Sequence, residues 1–461
     1  MYPKKTPKPE AAFRAAVVLA LLPSGNLLGG ASGFEAYQID QWMSYEVKGV
    51  RIRPQLDINM MYNNNVFSAS DAGAIEYVDL RNPTQTNRFT LNPRVADLIG
   101  TVSPGVSFQV GSEDENYLNL QYQSDNTRYF DLGVAPAPMH RIQLAGKYDN
   151  QSRLRMEGAH STEFVSSFMG GWVNLGNTLV DRWTHTTSGR VTYDSSEKTD
   201  VYVSGSRNYL NYEGVNLYGN DGWRGNLGAS YKPTDRLSVF VEGGYGLTDF
   251  IRGTPALGFI PTSHVYGGFV GVRGQFTERL EGSIGGGYEI REFPDIPGAS
   301  FSIPAANISV SYAFRETTKF SLAFIRRTDN AAQIARQGVT YATTTFNVQQ
   351  ALGTTGTWLA TAGVSYQGGT FDSLTGFGAA YEPIAGTTLR SLSMRTVDYK
   401  RDDSMMSLSG GISYMPRRWL RFGLNYSYDN YSVDFADAGL KDVFLPTYDA
   451  HRVMVGVQIG Y

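Results

Sequence analysis

The sequence predicts an all-β protein, a transmembrane antiparallel β-barrel of about twenty strands, and three observations carry that prediction. The end of the chain alternates strictly. Val453, Val455, Val457, Ile459 and Tyr461 fall on one face, with Arg452, Met454, Gly456, Gln458 and Gly460 on the other. Such alternation marks a strand with different surroundings on its two faces, and roughly 9–11 residues let a tilted strand cross a bilayer. The second observation is repetition: alternating stretches recur along the chain, joined by short turns and long loops in turn, as in outer-membrane barrels. The third is the lack of a run of about 18 apolar residues that would make a helical span. A mean hydropathy of −0.27 suits a wall in which every second residue faces a polar lumen.

Composition bounds the function. Among 461 residues, 18% are charged and the formal net charge is −3. The charged share is below the roughly 25% usual in soluble domains, and no broad basic surface for nucleic acid is indicated. There is no Cys, which removes disulfides, thiolate catalysis and Cys–zinc sites together.

Taken in order, residues 1–33 read as a secretory signal peptide. Lys4, Lys5, Lys8 and Arg14 precede the apolar run AAVVLALL and a small-residue exit, LLGGASG. Residues 34–49 have no clear period and read as a periplasmic lead-in. Residues 50–461 are assigned to the barrel. Alternation is clearest in Leu237-Val239-Val241-Gly243-Tyr245, Leu280-Gly282-Ile284-Gly286-Tyr288 and Leu420-Phe422-Leu424-Tyr426-Tyr428.

The turns repeat as well. An aromatic closes one strand, a few polar residues follow, and an apolar residue opens the next, as in Tyr148…Leu154, Tyr231…Leu237, Phe314…Phe320 and Tyr414…Leu420. Tyr148, Tyr193, Tyr231, Phe276, Phe314 and Tyr414 are therefore expected to form an interfacial girdle at the short-turn end. Counting such anchors gives ten descending strands, hence about twenty in all. Val348 and Tyr381 are the loosest anchors, and losing one hairpin gives eighteen. The long first loop, 62–99, is free to fold inward or to cap the mouth. Val453, Val455, Val457, Ile459 and Tyr461 form an apolar, aromatic-ended strand that resembles the ending read by the insertion machinery of outer-membrane barrels, and they are expected to serve as that signal.

Parity assigns the charges to the non-lipid face. Arg141, Arg224, Glu242, Glu281, Glu289, Arg421 and Arg452 all sit opposite an apolar row and are expected to line the lumen, because charges in hydrocarbon are costly. Two readings stand side by side. The arginines select anionic or polyhydroxylated solutes, or Arg and Glu pair across the wall and fill it. No catalytic set, metal site or cofactor is expected. His160-Ser161 lacks an identifiable triad partner. Asp402-Asp403 and the acidic run 113–115 lack the spacing of a calcium loop. Gly285-Gly286-Gly287 has no phosphate-loop lysine and reads as strand glycines beside a close neighbour.

Three stretches resemble a known family: YNNNVFS at 62–68, DLIGTVSPGVSFQVGSEDENYLNLQY at 97–122, and, within 401–459, SGGISYMPRRWLRFGLNYSYDNYSVDF and YDAHRVMVGVQI. They are similar to outer-membrane barrels of the putative beta-barrel porin 2 type, often encoded in exopolysaccharide operons. Asn63, Asn64 and Asn65 stand where that family usually carries acidic residues. The resemblance spans roughly 50–461. It implies a role in moving polysaccharide across or onto the outer membrane of a Gram-negative-type envelope. The expected function is passage of solute or glycan without catalysis, exopolysaccharide export being the form the resemblance implies. A general diffusion porin, a barrel lipase or protease, and a plugged structural barrel are the alternatives. Expected partners are outer-membrane lipids, the insertion machinery and, for export, polysaccharide with periplasmic export proteins.

Overall fold

The computed structural model describes residues 45–460 apart from 70–73, 80–85, 91–93, 113–115, 169–178, 215–218, 252–261, 296–299, 331–337, 354–356, 372–374, 385–389, 399, 418 and 438–446. The expected signal peptide, most of the lead-in, the acidic run 113–115 and Tyr461 lie outside the described residues. The strands are β1 (Tyr45–Val47), β2 (Val50–Asn63), β3 (Ala74–Asp79), β4 (Thr86–Thr90), β5 (Asp97–Gly111), β6 (Tyr117–Tyr129), β7 (Met139–Asp149), β8 (Leu154–Phe168), β9 (Leu179–Asp194), β10 (Thr199–Glu213), β11 (Gly219–Tyr231) and β12 (Leu237–Ile251). They continue with β13 (Ser263–Gln275), β14 (Leu280–Glu292), β15 (Ser300–Arg315), β16 (Thr318–Asn330), β17 (Gly338–Leu352), β18 (Trp358–Phe371), β19 (Thr375–Pro383), β20 (Arg390–Asp398), β21 (Arg401–Arg417), β22 (Leu420–Phe435) and β23 (Tyr448–Gly460).

Nineteen of these strands form one sheet; apart from the short β1, eighteen of them close into an antiparallel barrel. Closure joins chain start to chain end. On one edge β2 pairs with β5; on its other edge residues Gln55 to Asn63 pair with Gly460 to Arg452 of β23. Below that seam the lead-in supplies β1, whose Tyr45 to Val47 pair with Ile52 to Val50. Lys48 (φ 52°) and Gly49 (φ 80°) make the connecting turn. Two consecutive positive φ values define the tight hairpin turn whose twist matches its strands, and glycine takes one of them without strain.

The barrel therefore takes the smaller of the two expected strand counts, for a visible reason. The Tyr381 anchor belongs to β19, which pairs with β20 in a separate hairpin, while β18 pairs directly with β21 across the gap. Val348 stays in the wall, opposite Phe320 and Ala362. The β19–β20 hairpin joins β3 and β4, from the first long loop, in a four-stranded sheet through a parallel pairing of Arg390 with Tyr77.

At the short-turn end, side chains replace the missing ladder partners. Asn150 Oδ1 accepts the backbone N–H of Ser152, Arg153 and Leu154 at 3.0, 3.0 and 2.9 Å. Asp149 Oδ1 accepts that of Gln151 at 2.8 Å. Asn and Asp are favoured in turns because their short side chains reach these donors.

Polarity is reversed relative to a soluble fold. Large apolar side chains point outward and stay exposed, among them Leu227 (61%), Val270 (59%) and Val241 (58%). Glu289 (2%), Arg421 (4%) and Arg291 (6%) are instead buried on the inner side.

Candidate functional site

The candidate site is the inner surface of the barrel and its mouth at the long-loop end. Each inner side chain is placed by the period of two: because Ile142 and Leu144 are exposed outward, Arg141 on the same strand points in. The same argument places Arg224 opposite Trp223, Glu242 opposite Val241, Glu289 opposite Tyr288, Arg421 opposite Phe422 and Arg452 opposite Val453. An eighteen-stranded wall falls in the range, about 16–18 strands, where side chains stop filling the interior and an aqueous channel remains.

The inner charges are brought together in local pairs. Arg141 Nε donates to Glu163 Oε1 at 3.2 Å. Arg224 Nη2 meets Glu289 Oε1 at 3.1 Å, and Arg452 Nη1 pairs with Asp429. Glu281 lies 3.6 Å from Lys319 at the short-turn end. Arg421 donates to Ser413 Oγ at 3.3 Å; it shares a wall recess with Asn347, Gln349, Thr361, Ser409 and Asn425.

Two inner clusters gather residues that are far apart in sequence, of which only Glu289 and Glu242 were expected at the lumen. In the first, Glu289 Oε2 accepts the Thr328 backbone N–H at 3.0 Å. Arg291 beside it donates to Ser263 Oγ at 3.0 Å and Thr328 Oγ1 at 3.2 Å. The second surrounds Tyr202, whose ring lies 3.6 Å from the Arg190 guanidinium carbon and 5.7 Å from that of Arg273. Its hydroxyl donates to Glu242. Gly228 makes the space: a Cβ there would sit 2.3 Å from Tyr202 Cζ. Inward parity alone could have marked Arg190, Tyr202 and Arg273; their convergence depends on the curvature of the wall.

The mouth is narrowed by its own loops. Val66, Phe67 and Ala69 from the first loop pack on Ile99, Tyr129 and Met61, all three on inward parity. Val397 of β20 packs on Tyr431, Val433, Phe435 and Tyr448. Beside it Arg401 Nε is 3.2 Å from Asp403 Oδ1, and the Tyr431 hydroxyl donates to Asp403 Oδ2 at 3.0 Å. Two of the three asparagines tie the first loop to β23, while Asn63 Oδ1 accepts the Asn65 N–H at 3.0 Å within the loop. Asn64 Oδ1 accepts the His451 N–H at 2.7 Å. Asn65 Nδ2 donates to the carbonyls of Asp449 and Ala69 at 2.7 and 2.8 Å.

The aromatic residues before the short turns sit on the outer face at one end. Tyr148, Tyr193, Tyr231 and Phe314 are 52, 47, 51 and 45% exposed. Phe276 and Tyr414 are half-buried, and Tyr414 stacks on Trp358 with centroids 4.5 Å apart. On β23 Val453 and Val455 are exposed outward, while Val457 and Ile459 lie between Ile58 and Phe422 and between Leu56 and Leu420. Farther toward the loop end, outward tyrosines pair with histidines: Tyr122 with His140 at 3.1 Å, Tyr245 with His264 at 3.1 Å and Tyr426 with His451 at 2.9 Å.

The weighed motifs resolve by parity. His160 bonds Thr187 and Thr162 at 2.8 and 3.0 Å on the outer face, whereas Ser161 faces the opposite way, so the two cannot act as base and nucleophile. Asp402 and Asp403 likewise fall on opposite faces and share no site. Gly285 lies beside the Phe240 ring, 3.2 Å from where its Cβ would stand.

Several solved structures align with most of the chain at low identity. The siderophore receptor PirA from Pseudomonas aeruginosa aligns at 6% identity over 89% of this chain and 80% of its own, with a TM-score of 0.42. OpdO of Pseudomonas aeruginosa aligns at 10% identity over 89% and 97%, with a TM-score of 0.40. The ferric citrate transporter FecA in its unliganded form gives 8% identity over 89% and 78%, with a TM-score of 0.42. No curated protein matches the sequence. The sequence does match one family description, Putative beta-barrel porin 2, over residues 76–461, which is most of the chain and nearly all of the closed wall: the protein belongs to that family.

Proposed function

We propose that the protein is a non-enzymatic outer-membrane channel through which polar solutes pass, with polyhydroxylated, glycan-like solutes as the favoured class. The observation that supports it is the reversal of polarity: an exposed apolar belt outside and a charged, amide- and hydroxyl-bearing wall inside. Pairing of Arg141, Arg224 and Arg452 with carboxylates lowers the field available to attract anions. Hydrogen bonding then dominates, as in the recess of about 170 Å³ that holds Arg421 and Asn425, and guanidinium and amide donors suit sugar hydroxyls. Exopolysaccharide export is the specific role we attach to this reading. It brings with it targeting by residues 1–33 to a Gram-negative-type outer membrane, contact with its lipids and insertion machinery, and periplasmic export proteins. A plugged structural barrel is the second reading, favoured by the loops packed into the mouth.

Planar-bilayer recording separates them. The expected result is stable conductance with little preference between anions and cations, interrupted by added oligosaccharide. A strong anion preference lost in Arg421→Ala/Arg452→Ala would restore charge selection as the filter. Absence of conductance would favour the plugged barrel.

A further inference from the structure

One sector of the outer face departs from the apolar belt. On β7 to β11 the outward positions run, from the turn end, through Tyr148, Met156, Val191, Val203 and Leu227, which share one register row. After a row of glycines, the next two rows carry polar side chains on β8 to β11 beside Tyr209 and Trp223, while β7 keeps the apolar Leu144 and Ile142 there. His160 is bonded to Thr187 at 2.8 Å, and Thr162 to His185 at 3.0 Å. Arg207 grips Asp221 with two hydrogen bonds of 2.9 and 2.7 Å and lies 4.7 Å over Trp223. These groups stand between the apolar row and Trp183 farther toward the loop end, within the belt. Arg207 and Asp221 keep 42 and 22% of their side-chain area exposed. A guanidinium, a carboxylate and two imidazoles facing hydrocarbon are unfavourable, and outward positions on other strands carry Tyr245, Tyr288, Tyr366 and Leu408.

Under the polar rows the surface is bare. Gly146, Gly158, Gly189, Gly205 and Gly225 are successive register partners across the five strands. Gly146 is held small by its own neighbours, since a Cβ there would lie 3.2 Å from Leu118 Cδ1, but the packing of the chain does not demand the other four: a Cβ at Gly158, Gly189 or Gly205 would meet nothing nearer than 3.7 Å, and one at Gly225 nothing within 4 Å.

We infer that this face of β7 to β11 is the contact surface for a second copy of the chain, docked face to face across a two-fold axis near Gly189. Charge selects that occupant. The sector holds one guanidinium and one carboxylate already paired, with no surplus cation for a phosphorylated lipid headgroup. A surface with balanced charges is complementary to itself when turned through a two-fold axis, so Arg207 of each copy reaches Asp221 of the other. Backbone without side chains lets two walls approach closely, and Thr and His side chains then bond across the gap. Five strands about 4.8 Å apart, over a belt roughly 25 Å tall, give on the order of 500 Å² per copy. The total of about 1,000 Å² is the lower edge for a specific interface.

The chain has no Cys, so one introduced thiol reports one position. The full-length protein, inserted in outer-membrane vesicles, is treated with a short bifunctional maleimide as Thr187→Cys and, on a distant outward position, as Val455→Cys. Light scattering in mild detergent gives the mass of the unmodified protein and of Gly189→Leu/Gly205→Leu, with heat-modifiable mobility verifying that each barrel is folded. The expected result is a two-chain species, cross-linked through Thr187→Cys and not through Val455→Cys, and lost in the folded double-leucine variant. A monomeric unmodified protein, equal cross-linking at both positions, a dimer that survives the leucines, or a monomer that carries bound anionic lipid would each overturn the inference.

Discussion

Adjacent residues on β6 give the sharpest test of which solvent faces which side of the wall. Leu120 is 40% exposed on the outer face, next to Phe108 and Leu144 in its register row. Gln121, one residue on, points inward opposite Gln143. Replacing each with Arg inserts the same side chain at the same depth on opposite faces. If hydrocarbon surrounds Leu120, the cost is about 2–4 kcal/mol, the range for Arg near the bilayer midplane. That corresponds to roughly a 30- to 1,000-fold change in the folding equilibrium. At Gln121, where water and polar groups meet the side chain, the change stays within about 0.5 kcal/mol, as for an ordinary surface site. Urea unfolding in phospholipid vesicles, followed by heat-modifiable mobility, measures both. Equal costs at the two positions, or the greater cost at Gln121, would refute the assignment of faces and with it the polar-channel reading.

Three further outcomes are expected. Gly228→Val forces a Cβ onto the Tyr202 ring, 2.3 Å from Cζ, and the overpacking costs about 1–3 kcal/mol in the same unfolding assay, with Gly243→Val, whose Cβ meets nothing within 4 Å on the outer face of β12, as the milder control. Excising residues 375–398, the β19–β20 hairpin, leaves β18 paired to β21; it raises single-channel conductance if the hairpin narrows the mouth, and unchanged conductance in a folded barrel would assign the constriction elsewhere. Val457→Asp/Ile459→Asp places carboxylates between the apolar neighbours Ile58 and Phe422, Leu56 and Leu420, and lowers the amount of heat-modifiable barrel in outer-membrane fractions; normal levels would show that closure tolerates charge at the seam.

The wall was legible because its rule is local. Leu237, Val239 and Val241 alternate with Ser238, Phe240 and Glu242 along β12, and that pattern needs no knowledge of any other strand. The hairpin at Tyr381 broke the count for the same reason. An aromatic before a polar turn looks alike in the wall and in a loop, and only the long-range pairing of Phe371 with Arg401 tells them apart. Inner parity put Arg141, Arg224 and Arg452 on one expected face, yet their partners Glu163, Glu289 and Asp429 come from register, which sequence does not print. Arg224 and Glu289 are 65 residues apart. Charge at outward parity was the other unread signal: Arg207 and Asp221 follow the same alternation as Val203 and Leu227, and they mark a polar sector of the outer face.

The seam has a consequence for the order of assembly. Every other junction of the wall joins strands that are neighbours in sequence or are separated by one hairpin, but β2 and β23 meet across nearly the whole chain, through only nine residue pairs. Bringing such distant segments together carries the largest loop-closure entropy in the molecule, so zipping β23 onto β2 is the step most suited to come last and to set the pace. Until then β2 offers an unpaired edge, the kind of template that captures a wrong strand. The lead-in hairpin already occupies Val50 to Ile52 of that edge. Its pairing there shortens the exposed template, and it stays in place beside β23 once the barrel is closed.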